Sequence, residues 1–279
     1  MHHASPRGRV KYGEGDASGV TLAEELVRHL RKAIDGASKT ERGVLFSGGL
    51  DSTVIAHLAG RVGPVRLYTI GTSGSHDLMV AEETAELLGL EWKPLLLSDR
   101  EIVDALVPLS EIIGTDSPLT LSFELPLYFV CERARENDFL SGQGADELFA
   151  GYMRYLSLPS PELRARMNED LDALLSNGVA MERAIARRFS KEIHHPFLDP
   201  NVVAFARTLP TSECLRGSVR KAILRDAAAN LGLDVVVGRE KKAAQYGSGV
   251  MKVIKAEARK RGVATIDLVG SLRRRRETV

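Results

Sequence analysis

The apolar positions of the chain change rhythm about halfway along it. In the first half, short apolar runs alternate with stretches whose apolar residues recur every three or four positions. Thr21, followed three residues later by Glu24, makes a helix-opening capping box, and Leu22, Leu26, Leu30 and Ala33 then fall on one helix face. Gly43-Val44-Leu45-Phe46 has the form of a short buried strand, and a helix is predicted from Asp51 to Leu58, stopping near Gly60. Val65 to Ile70 reads as a second strand. Asp77 to Leu88 reads as a helix with Leu78, Ala81, Ala85 and Leu88 on one side and Gly89 as its stop. Trp92 to Leu97 is a third strand, helices are predicted over 100–113 and 122–136, and Asp138-Phe139-Leu140 is a short fourth strand. Strands alternating with helices predict βαβ units and a parallel sheet. Beyond about Gly151 the alternation fades, and helices are predicted over 161–176, 180–190, 199–208, 218–231 and 250–261. The chain therefore reads as α/β in its first half and mostly helical in its second.

This pattern suggests a division. Residues 1–20, rich in Gly, Ser, Lys and Arg, read as a flexible arm. Residues 21–262 read as one domain, with an α/β lobe over about 21–150, a helical lobe over about 151–262 and a cleft between them. Residues 263–279, which carry Arg273 to Arg276, read as a basic tail. At 279 residues the chain can bury a substantial core without covalent staples. Its 44% hydrophobic and 27% charged residues are globular proportions, which excludes an intrinsically disordered chain. Lys and Arg number 38 against 37 Asp and Glu, so no global basic field exists to draw nucleic acid or anionic lipid. Cys131 and Cys214 are too few for a disulfide framework or a cysteine metal cluster. No apolar run approaches the ~20 residues of a membrane span, and Met1 to Pro6 has no apolar signal core. A cytoplasmic protein without a membrane partner is expected.

The most informative segment is Ser47-Gly48-Gly49-Leu50-Asp51-Ser52-Thr53, between a predicted strand and a predicted helix. Two glycines allow a tight turn and close approach to a ligand. The following helix offers free N–H groups and the positive end of its dipole, which suit an anion. Ser47, Ser52 and Thr53 add hydroxyls. Asp51 would repel a phosphate, but it suits a magnesium ion bridging phosphates. The G-x-x-x-x-G-K-[ST] pattern is absent, so this is a different phosphate loop. In Ser141-Gly142-Gln143-Gly144-Ala145-Asp146-Glu147-Leu148-Phe149-Ala150-Gly151-Tyr152, a short strand again ends in glycines and a helix opens with acids. Asp146 could complete a magnesium site with Asp51.

The first string resembles the pyrophosphate loop of the N-type ATP pyrophosphatases, whose nucleotide-binding lobe has the adenine nucleotide alpha hydrolase-like fold. The second resembles the S-G-x-G-x-D-E-L-F-x-G-Y block of asparagine synthetases. Ile70 to Asp77 falls where that family lines its adenine pocket. Glu192 with His195-Pro196-Phe197-Leu198-Asp199 is similar to its E-x-R-x-P-F-L-D block, with His194 in place of Arg. Lys221 to Arg225 resembles its K-x-x-L-R helix, and Arg239-Glu240-Lys241 through Gly247-Ser248-Gly249 its R-P-K loop and glycine turn. The resemblance covers roughly residues 21–260 and extends to β-lactam-forming and carbapenam-forming synthetases.

The resemblance implies an ATP-dependent amide synthetase, using ATP and Mg2+. A carboxylate, expected to be aspartate, would attack the α-phosphate to give β-aspartyl-AMP and pyrophosphate, and ammonia would then expel AMP. It implies Lys241, Asp51 and Asp146 as catalytic residues, with Asp51 and Asp146 as metal ligands. It further implies nucleotide contacts from Phe46, Ser47, Gly48, Gly49, Asp51, Ser52, Thr53, Ile70, Gly142, Gln143, Gly247 and Ser248. Gln143 stands where such enzymes often carry an acid, and an amide cannot act as a general base. Glu182 is a substitute base by type, although a solvated helix position is the simpler expectation for it. Glutaminase domains of this family begin with a cysteine nucleophile, and no cysteine precedes Cys131. Free ammonia, ammonia from a separate glutaminase chain, or another amine as the acceptor is therefore expected, and a second copy of the chain is a further expected partner. The alternatives are an adenylating synthetase for another carboxylate and a non-catalytic nucleotide-binding subunit. Nucleic-acid modification has only the basic tail behind it.

Overall fold

The computed structural model describes residues 19–37, 41–239 and 247–276. Five strands, β1 (Arg42–Leu45), β2 (Val65–Gly71), β3 (Glu91–Leu96), β4 (Asp138–Leu140) and β5 (Glu192–His194), form one parallel sheet in the order β3-β2-β1-β4-β5. Its register is fixed by pairs such as Val44 with Leu67 and Val44 with Leu140. Alternate strand residues point to opposite faces. Val44, Leu67 and Leu140 accordingly join one core cluster, whereas Tyr68, Phe139 and Ile193 join the other. Both faces are buried, as a parallel sheet requires.

On the first face lie α1 (Leu22–Ala37), α2 (Leu50–Val62) and residues of the helical half. The predicted capping box opens α1: Glu24 N–H donates to Thr21 Oγ1 at 3.2 Å and Thr21 N–H donates to the Glu24 carboxylate at 2.8 Å. Helix α2 does not stop at Gly60 but continues to Val62. A Cβ at Gly60 would lie 3.0 Å from the Leu90 side chain, so this glycine makes room for packing and does not end the helix. Helix α3 (His76–Leu88) ends at Gly89, as expected. The second face is covered by α4 (Asp99–Ile113), α5 (Pro118–Arg133) and, after the short α6 (Ala145–Leu148) and α7 (Ser160–Ala173), by α8 (Val179–Arg188).

Strand β5 was not among the four predicted strands. It is three residues long, pairs with β4 alone at the sheet edge, and buries only Ile193, so it leaves no apolar run to read. Beyond it come α9 (Pro200–Thr208), α10 (Thr211–Cys214) and a hairpin of β6 (Leu215–Arg216) with β7 (Val219–Arg220). This hairpin occupies the beginning of the predicted 218–231 helix, which starts only at α11 (Ala222–Asn230). The chain continues through α12 (Asp234–Val237), α13 (Val250–Lys260) and α14 (Leu268–Arg276). Helix α14 buries Leu268 and Val269, and its Arg273 donates to Asp116 at 2.7 and 2.8 Å and to Ser110 Oγ at 2.7 Å. Among the described residues no helix is long and apolar enough to cross a membrane.

Candidate active site

Strand β1 sits between β2 and β4, so the chain runs outward to β3 on one side and to β5 on the other. The loops leaving β1 and β4 diverge at the carboxyl ends of neighbouring strands, the place where an open parallel sheet forms a ligand crevice. Both glycine-rich segments singled out in the sequence lie there.

The loop after β1 is held by its own small side chains. Ser47 N–H donates to Ser52 Oγ at 3.2 Å, the two hydroxyls are also 3.2 Å apart, and Ser52 Oγ donates to Gly49 O at 3.3 Å. Gly48 has φ +68°, and a Cβ there would lie 2.7 Å from Val80 O, so only glycine fits this turn. Thr53 N–H donates to Gly49 O at 3.0 Å in the first turn of α2, and its buried Oγ1 has no hydrogen-bond partner among the described residues. Phe46 and Ile70 are buried in opposite core clusters, and Phe46 O accepts from Thr69 Oγ1 at 2.6 Å. The loop after β4 closes against the first loop. A Cβ on Gly142 would lie 3.1 Å from Asp51 Cβ and 3.2 Å from Ser52 N. Gln143 N–H donates to Ser141 Oγ at 3.2 Å.

Asp51 and Asp146 meet at one ammonium. Lys221 Nζ donates to Asp51 Oδ1 at 2.7 Å and Oδ2 at 2.8 Å, and lies 2.8 Å from Asp146 Oδ1. Lys221 is 4% exposed, a burial an ammonium tolerates only when paired. The K-x-x-L-R match had singled it out, but without a role. Its backbone is left-handed (φ +54°, ψ +41°), and its N–H donates to Phe149 O at 3.1 Å. These three side chains carry a formal charge of −1 and offer only oxygen donors beyond the ammonium. That chemistry fits a hard divalent cation such as Mg2+.

The opposite rim is tied down from the helical half. Arg239 donates to Thr84 Oγ1 at 2.5 Å and to Gly48 O at 3.3 Å, and pairs with Glu83 at 2.9 Å. Arg225 donates to the carbonyls of Val237 and Arg239. Past residues 240–246, Gly247 lies against the Asp77 carboxylate, and buried Ser248 accepts from Thr72 N–H at 2.9 Å through its carbonyl. Lys241 lies outside the described residues.

A second polar cluster lies past the ends of β4 and β5. Ser141 N–H donates to His194 O at 3.0 Å, and the next residue, His195, hydrogen-bonds through Nε2 to Glu182 Oε2. Glu182, for which a solvated position was expected, is 7% exposed: it faces inward from the first turn of α8 because His195 meets it there. Glu124 of α5, also 7% exposed, lies beside Glu182. Burial, with Glu182 adding like-charge repulsion, pushes the Glu124 carboxyl well above the ordinary carboxylate range. Periodicity gave no signal for this cluster, because its members lie on three elements. Nearby, Glu147 accepts from Tyr152 Oη at 2.5 Å, and its carboxyl too is raised, chiefly by burial.

Compared with known protein families, the chain matches the one described as Asparagine synthase over residues 22–173 and 159–266. The chain belongs to the asparagine synthase family. Within it, a Methanocaldococcus jannaschii protein, provisionally named a glutamine-hydrolysing asparagine synthetase, is 32% identical over 281 residues, covering 86% of this chain and 51% of that protein. The human glutamine-hydrolysing asparagine synthetase is 28% identical over 252 residues, covering 82% of this chain and 44% of its own. The chain thus spans about half the length of the curated asparagine synthetases it matches. Among solved structures, an NMN synthetase from Francisella tularensis superposes with a TM-score of 0.44 at 14% identity, covering 90% of this chain and 84% of that one.

Proposed function

We propose that residues 21–262 form the synthetase unit of an ATP-dependent, AMP- and pyrophosphate-forming amide synthetase. Its proposed substrate is aspartate, activated as β-aspartyl-AMP, with ammonia or a separately supplied nitrogen source as the donor. The observation that carries this reading is the convergence of Asp51, Asp146 and Lys221 beside two interlocking glycine loops at the sheet's switch point.

Ser47, Gly48, Gly49 and Ser52 would hold the leaving pyrophosphate through N–H and hydroxyl groups, aided by the start of α2. Asp51 and Asp146 would hold Mg2+, which when bound offsets phosphate charge. Lys221 would keep the two carboxylates at a fixed separation and limit their mutual repulsion. Gly142 lets the second loop close on the first. Lys241 would supply an ammonium to charge developing on the phosphates, in a site where such a donor contributes about 3 kcal/mol. Arg239 anchors the segment leading to Lys241 on the carbonyl of Gly48.

The test is carboxylate-dependent exchange of labelled pyrophosphate into ATP, measured over a panel that includes aspartate. Exchange is expected with at least one carboxylate, and Asp51→Ala should abolish it while leaving the far-ultraviolet circular dichroism unchanged. Full exchange in that variant would remove Asp51 from the metal site. No exchange with any carboxylate would favour a non-catalytic nucleotide-binding subunit.

A further inference from the structure

Amide synthesis needs more than an activated acyl group. The amine must arrive, and at neutral pH ammonia is mostly ammonium, a cation that must be bound and relieved of a proton. Gln143 cannot take a proton. The groups able to meet such a cation gather around His195, one residue past the end of β5, where Glu182 of α8 accepts its hydrogen bond and Glu124 of α5 lies beside Glu182.

We propose that Glu124, with the Glu182–His195 pair, forms the binding site for the nitrogen nucleophile, taken as ammonium or a primary alkylammonium. Two independent observations point to a ligand. The first is the position: Glu182, in the first turn of α8, meets His195 just past the end of β5, and Glu124, midway along α5, lies beside Glu182. The second is that the Glu124 carboxyl, more than nine-tenths buried, accepts no hydrogen bond from any described residue. The charged groups around it are Glu182 from α8 and, behind Glu182, His195; Lys191, past the end of α8, has its Nζ committed to the carbonyls of Ala134 and Glu136. Among the described residues no Lys or Arg forms an ion pair with the Glu124 carboxylate.

An arriving ammonium supplies the missing positive charge and N–H donors. In its presence Glu124 ionises and its proton passes to solvent, so binding exchanges one proton for one cation. Glu182, held by His195, fixes the second acceptor.

This inference rests on the amide-synthetase reading, and the experiment separates the two. Pyrophosphate exchange precedes the amine and tests that reading alone. Amide formation is then followed against ammonium chloride and methylammonium chloride, and the probe with the lower KM identifies the class of nitrogen donor. Glu124→Gln keeps the shape but not the charge, and should raise the KM for the preferred amine by about tenfold or more, as expected for loss of a charge-assisted contact. His195→Gln, which loosens Glu182, should raise it less. In the unmodified chain, ammonium binding followed by calorimetry in buffers of differing ionisation enthalpy should release up to one proton; this arm needs no variant to fold. An unchanged amine KM in Glu124→Gln, or binding without proton release, would overturn the inference while leaving the exchange result standing.

Discussion

Lys221 reaches its carboxylates through a backbone conformation that L-residues avoid at a cost of roughly 1–2 kcal/mol. The left-handed turn ends the β6–β7 hairpin, starts α11 and aims the side chain back across the crevice. Asp51 and Asp146 were legible in the sequence because each is an acid at the start of a helix after a glycine turn. Lys221 was legible only as part of a matched motif, because its partner lies 170 residues upstream and nothing local marks the contact. Glu182 was misread for the same reason: what buries it is His195, on another element. Glu124 carries a consequence for stability. Its folded-state carboxyl titrates above its ordinary value of 4.5, so the folded protein keeps a proton that the unfolded chain releases. Stability therefore falls as pH rises from about that value toward the folded one. Glu124→Gln removes this loss. Its melting temperature should exceed that of the unmodified chain at neutral pH, by about 2–4 °C for each kcal/mol recovered, and the gap should vanish near pH 4. A constant gap across that range, read by calorimetry, would place the effect elsewhere.

At the scale of elements, period and punctuation carried most of the reading. The four strands β1 to β4, α1 with its capping box and α3 with its glycine stop all appear as the chain suggested. The misreadings share a physical cause. Strand β5 exists because β4 offers it an edge, α2 passes Gly60 because Leu90 packs there, and the start of α11 is displaced by a hairpin of two-residue strands. In each case a tertiary partner overrides a local preference. The site is likewise a product of elements in contact, and Gly142 is where two of them touch. A methyl group at this position would press on Asp51 Cβ and on the backbone at Ser52, neither of which can rotate away. Gly142→Ala should thus fold normally but lose roughly tenfold to a hundredfold in exchange rate, since sub-ångström misplacement in a site has effects of this order. Gly63, with extended backbone and open space around its Cα, provides the control, and Gly63→Ala should match the unmodified rate.

For the whole molecule, the α/β half and the helical half were distinguishable by rhythm alone, and membership of the asparagine synthase family covers both. What rhythm could not give is how the halves share labour: Lys221, Arg225 and Arg239 from the second half complete and brace a crevice whose loops belong to the first. The order of the strands adds a temporal consequence. Strand β1 pairs with β2 soon after it in the chain, but with β4 only after the intervening α2–α5 region has been laid down, and Lys221 arrives later still. Contacts of such sequence separation require loop closure before they repay it and form slowly. During refolding the helices and the β1–β2–β3 half-sheet should gather first, with nucleotide affinity emerging last, in a separate slower phase. Stopped-flow circular dichroism set beside the fluorescence of a bound ATP analogue would register this as a lag. Coincident traces would mean that the chain folds in one concerted step, its crevice maturing together with its scaffold.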